Sequence, residues 1–95
     1  MKAYAMKLRG YAIKLLSVAG TPRDTYIQSY DLNSTRLGQV TVTGQKHRAM
    51  LWDTADEAYV AYTTASSEFP LRADGKPNRP LTAFSVEIVP VYWTE

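Results

Sequence analysis

TAFSVEIVPV, residues 82 to 91, is the segment on which the fold turns. Its centre, VEIVPV, is the most strand-like run in the chain. Phe84, Val86 and Ile88 share one face of the expected strand, and Ser85, Glu87 and Val89 the other. Pro90 has no N–H to give to a ladder, so it ends the strand or places that end at a sheet edge. Directly before it lies PLRADGKPNRPLTAF, residues 70 to 84, a polar connection with three prolines, one glycine and three cations. YWTE, after it, reads as a short aromatic tail.

Further upstream, DTADEAYVAYTTASS is the one clear helix of the sequence, ending near SSEFP. Thr54 and Glu57 have the spacing of a capping box, in which the hydroxyl binds a free backbone N–H and the carboxylate reaches back. Asp56 and Glu57 sit in the first turn, where the helix dipole favours acids. Ala55, Ala58, Tyr62 and Ala65 fall on one face, with Tyr59 beside them and Val60 pointing away. Earlier still, YAIKLLSV (11–18), TYIQSYD (25–31) and QVTVT (39–43) read as strands, and AMLW (49–52) as a short strand or extended lead-in. GTPRD between the first two is a turn cluster, too short for a parallel crossover, so those strands pair antiparallel. Residues 1–10 are a loose segment or an extension of the first strand, with Gly10 allowing a bend. DLNSTRLG (31–38) is a loop and GQKHR (44–48) a turn. The order predicts an α+β fold: a mainly antiparallel sheet of four to five strands with one helix packed on one face, in a single domain over 1–95.

Bulk properties narrow the function classes. The 95 residues are 45% hydrophobic and 21% charged, which is ordinary for a globular domain. The net charge of +2 is too weak to mark a nucleic-acid binder. Lys2, Lys7, Arg9 and Lys14 stand without an acid in the first 20 residues, a pattern that also suits a solvated strand edge. With no cysteine, disulfides and thiolate metal sites are excluded, and a reducing cytoplasm is compatible. Lys14 interrupts the only run that faintly resembles a secretion signal, so it is read as structure. No run approaches the roughly 20 apolar residues of a membrane helix.

Catalytic patterns are weak. His47 is the only histidine, and its neighbours Lys46 and Arg48 disfavour a metal ion. Asp53, Asp56 and Glu57 are explained by helix capping. No metal loop, phosphate loop or nucleophile elbow is present. The reading is of a protein that is not an enzyme, with no catalytic residue, metal or cofactor assigned. Residues 70 to 84 hold the best candidate site. Asp74-Gly75 is a turn signal, and Pro77 and Pro80 keep Lys76 and Arg79 extended. A rigid connection explains these residues. So does an anion site, in which Arg72 and Arg79 offer planar forks, Lys76 adds charge, Asn78 orients the ligand or braces the turn, and Thr82 adds a neutral hydrogen bond. Lys46, His47 and Arg48 are secondary basic contacts.

The run AMLWDTADEAYVAYTTASSEFPLRADGKPNRPLTAFSVEIVPV resembles small uncharacterised proteins encoded in phages and prophages of proteobacteria. The features carrying the resemblance are Ala49 to Trp52, Glu57-Ala58, Pro70 to Ala83 and Val86 to Ile88. It covers the C-terminal half and is specific in the loop; residues 1–10 have no counterpart in it. It implies a phage accessory protein in the cytoplasm of a bacterial host, a class that works by binding. With the cationic loop for phosphate contacts and the tyrosines for stacking, the expected role is to counter host defence by sequestering an anionic nucleotide-type signal or masking a host effector. The expected partner is thus an anionic small molecule or a host defence protein, with no membrane. A nucleic-acid-binding accessory factor and a phage structural or assembly protein are the alternatives. A homo-oligomer is expected, because paired loops make a deeper site.

Overall fold

QVTVT and TYIQSYD become strands with the bounds expected from their β-branched content and their alternation, respectively. In the computed structural model, which describes residues 6–16 and 24–93, β1 is Lys7–Leu15, β2 is Thr25–Asp31, β3 is Gln39–Thr43, α1 is Ala55–Tyr62 and β4 is Val86–Trp93. The four strands form one antiparallel sheet in the order β3-β2-β1-β4, with the helix on one face. This is the expected α+β architecture. Residues 1–5, residues 17–23 with the end of the expected first strand and most of the GTPRD turn, and residues 94–95 lie outside the described part.

Several boundaries differ from expectation: α1 ends at Tyr62, before SSEFP, and β1 at Leu15. Lys7–Gly10 belongs to β1, and the register shift between Leu8 and Gly10 provides the bend. Thr82 and Ala83 are not strand; with Pro80 and Leu81 they form a 3-10 turn. Tyr92 and Trp93 are not a tail but the end of β4, which runs through Pro90. The chain tolerates that proline for a geometric reason. Tyr11, opposite Pro90, exchanges both of its backbone bonds with Trp52, at 2.8 and 2.9 Å. Residues paired in an antiparallel ladder turn their polar groups to each other or both away. Pro90 therefore faces the open sheet edge, where its missing N–H costs no ladder bond.

AMLW plays a part its composition does not show. Met50 N–H donates to Ile27 O on β2 at 2.9 Å, and two residues later Trp52 bonds β1. The segment enters between the two strands beyond their described pairs, Lys14↔Tyr26 and Leu15↔Thr25. Both faces of the sheet are then covered. On the helix side Ile13, Ile27, Ala58 and Leu81 are buried, flanked by Leu15, Val40, Tyr62, Val86 and Ile88. On the other side Ala12, Tyr26 and Val91 are buried against Ala49, Leu51, Val89 and Trp93. Ala12-Ile13 and Tyr26-Ile27 are adjacent pairs sent to opposite faces by the strand period of two. Fully burying Ile13, Ile27, Leu81 and Val91 stabilises the fold by about 1.5–3 kcal/mol each.

Candidate functional site

Residues 70–78 are not an irregular loop. Asn78 N–H donates to Pro70 O, Leu71 and Pro77 form a bridge, and Arg72 N–H donates to Lys76 O at 2.8 Å. These contacts make a small hairpin. Its tip closes through Gly75 N–H to Arg72 O at 3.0 Å, with Gly75 at φ 82°. Asp74 Oδ1 accepts from Lys76 N–H at 3.1 Å, so the Asp-Gly pair sets the turn as its chemistry predicts. The chain then enters the 3-10 turn Pro80–Ala83, where Thr82 Oγ1 donates to Arg79 O at 2.7 Å.

A second loop, between β2 and β3, faces this hairpin. Asp31 Oδ1 accepts from Asn33 N–H, and Gly38 N–H donates to Thr35 O. Asn33 Oδ1 accepts from Ser66 Oγ, Ser67 N–H and Glu68 N–H, at 2.8 to 3.1 Å. Ser66 is buried, and its hydroxyl also accepts from Phe69 N–H. Asn78, 7% exposed, completes the clamp: Nδ2 donates to Arg36 O and Phe69 O at 2.9 and 2.8 Å. Two asparagines and a serine thus fix three connecting segments to one another. Buried polar groups that are satisfied in this way rigidify what they join.

Between the two loops is a groove with a cavity volume of about 600 Å³. Arg36, Leu37 and Gly38 line one side, and Arg72, Arg79 and Phe84 the other, with Asn78, Pro80 and Thr82 between. Three arginines line it and no acid does. Arg72 is ion-paired with Asp74, which orients its guanidinium and offsets part of its charge. Arg36 lies over the Phe69 ring, 6.0 Å from its centroid. The Arg79 side chain has no hydrogen-bond or ion-pair partner among the described residues. Leu37 is 83% exposed and Phe84 37%, so the groove also offers apolar contact at its lip.

The structure sorts the candidate residues into groups. Arg72, Asn78, Arg79 and Thr82 come together at the groove. Both Nδ2 hydrogens of Asn78 and the Thr82 hydroxyl hydrogen are already given to carbonyls, so these two brace the site. Lys76 sits on the hairpin but not in the groove lining. Lys46, His47 and Arg48 form an exposed 3-10 turn just beyond the C-terminal end of β3, whereas the groove touches the N-terminal end at Gly38. Sequence reading missed Arg36. It lies 36 positions before Arg72, inside a loop with no marker of its own, and contacts far apart in the chain, Asn78 to Arg36 O among them, bring it near. Among the described residues no cluster of His, Asp and Glu is placed to hold a metal ion, and no helix is long and apolar enough to cross a membrane. No protein-family model, curated protein or solved structure matches this chain.

Proposed function

We propose that this chain is a non-enzymatic binding protein that takes a small anionic molecule of nucleotide type into the groove. One observation carries the reading: three arginines and no acid line a preformed groove of about 600 Å³, a size suited to a small organic ligand. Arg79 and Arg36 contact the phosphate as planar forks, and Arg72 adds charge from its fixed position. Phe84 and Leu37 provide the apolar surface on which a ring rests. Because the clamp around Asn78 holds the walls before binding, little ordering entropy is lost. The resemblance to phage-encoded proteins suggests the setting, in which sequestering a nucleotide-type signal counters a bacterial host defence.

Calorimetric titration with a nucleoside triphosphate and a cyclic dinucleotide tests this. Saturable binding to at least one is expected, weakened by added salt. Arg79→Ala is expected to weaken it by about 1.5–3 kcal/mol, the scale of a charge-assisted hydrogen bond, with an unchanged melting curve. Failure of both probes to bind, or wild-type binding by both Arg36→Ala and Arg79→Ala, overturns the reading. The exposed Lys46–Arg48 turn favours a second reading, a nucleic-acid contact. A single-stranded oligonucleotide that binds and is released by the double substitution Lys46→Ala, Arg48→Ala would select it.

A further inference from the structure

The sheet has two edge strands, and they are unlike. β4 carries Glu87 and, facing outward, Pro90. Both discourage a further strand. β3 is QVTVT, with no charge, no proline and four β-branched residues. Its described backbone partners all lie on β2. Val42 on this strand is 45% exposed, and Leu37 just before it 83%. A bare, uncharged edge of this kind is a template for another strand.

The sequence of that edge indicates which strand. Val40-Thr41-Val42 reads the same in both directions. Antiparallel pairing about a two-fold axis at Thr41 sets Thr41 against its own copy, Val40 against Val42 and Gln39 against Thr43. Opposed β-branched side chains are favourable cross-strand neighbours. A surface that is its own complement is what a two-fold dimer requires. We propose that β3 pairs antiparallel with β3 of a second copy, joining two sheets of four strands into one.

The pairing has a consequence for the groove. In an antiparallel pair the end of one strand lies beside the start of the other. The groove touches the start of β3 at Gly38, and the basic turn follows its end at Lys46–Arg48. The partner subunit's Lys46 and Arg48 therefore come to the groove's lip. Two basic groups that the monomer holds at opposite ends of β3 become one site. This consequence rests on the groove reading; the pairing does not.

The test uses the full chain. Light scattering at tens of micromolar is expected to give twice the 10.7 kDa monomer mass. The absence of cysteine makes one substitution diagnostic. Thr41→Cys places two thiols across the axis, where paired Cα atoms lie about 4.5–5.5 Å apart, within disulfide reach. It is expected to form a covalent dimer rapidly on mild oxidation, while Val60→Cys, on the outer face of α1, does not. Thr41→Lys opposes two like charges and is expected to weaken the dimer roughly tenfold or more while the chain stays folded, its melting midpoint falling only by the lost association. A monomeric wild type overturns the proposal, as does Thr41→Cys cross-linking no faster than Val60→Cys. If Thr41→Lys unfolds, the cysteine comparison decides. Mass reports on the pairing and nucleotide titration on the groove, so either can fail without the other.

Discussion

Gly38 and Gly75 both have positive φ, 71° and 82°, but they are held for different reasons. Gly75 closes the hairpin tip, and a Cβ there would meet nothing within 4 Å. Gly38 lies where the two walls of the groove touch: a Cβ there would stand 2.8 Å from Pro80 Cβ and 3.3 Å from Asp31 O. Gly75→Ala is expected to cost about 1–2 kcal/mol, the backbone penalty alone. Gly38→Ala carries that penalty plus roughly 1–3 kcal/mol for the overlap. Urea midpoints of the two variants check the difference; equal midpoints would show that the Pro80 contact gives way easily. The same scale explains Asn78. Its sequence context marks a turn former, but its buried amide joins Arg36 O to Phe69 O, a task set by residues far from it in the chain.

At the scale of the element, α1 is short. Eight residues do not hold a helix in water by propensity. Its start is fixed by Thr54, whose Oγ1 accepts from Glu57 N–H at 3.1 Å. Its packing comes from Ala58, fully buried, and from Tyr62, whose hydroxyl donates to Phe84 O at 2.8 Å. Thr54→Ala is expected to destabilise the domain by about 1 kcal/mol, read as a lower denaturation midpoint. An unchanged midpoint would mean that packing alone sets the helix start. The helix stops at Tyr62, short of the expected SSEFP, and the local chemistry shows why. Thr63 and Thr64 turn their hydroxyls back to the carbonyls of Tyr59 and Val60, so their side chains compete for the backbone. The freed chain then turns to place Ser66 under Asn33.

At the scale of the molecule, stability is expected to fall in alkaline solution. Lys14 has its pKa raised from 10.5, chiefly by its hydrogen bond and then by its attraction to Asp24, 3.2 Å away. Tyr26, buried, is raised from 10.0, first by desolvation and then by the Asp24 charge. Each group keeps its proton to higher pH in the folded state than in the unfolded one. Its contribution is complete below the unfolded pKa and is lost as pH rises through the folded value. Denaturation midpoints are therefore expected to be level up to about pH 9.5 and to decline above it, since the ordinary values lie near 10. Asp24→Asn is expected to make the decline shallower. A flat profile through pH 11 in the wild type would contradict the coupling.

Short-range chemistry accounts for what the sequence determined by itself. Alternation of polar and apolar residues placed β2 to the residue and β-branched content placed β3, the Thr54 cap placed the start of α1, and Asp74-Gly75 placed the hairpin tip, because each depends on neighbours within a few positions. Of the two roles open to Pro90, ending the strand or marking a sheet edge, the structure gives the second: β4 runs through it and is an edge strand. Tertiary structure alone decided the rest. Trp52 meets Tyr11, Asn33 meets Ser66, and Arg36 comes beside Arg72 and Arg79 across separations of more than 30 residues. No local pattern encodes such meetings. They follow from where the sheet sends its connections and from the need of each buried polar group for a partner. Arg72 and Arg79 were readable as charge, but the groove that gathers them with Arg36 exists because Asn78 and Gly38 hold a second loop against their segment.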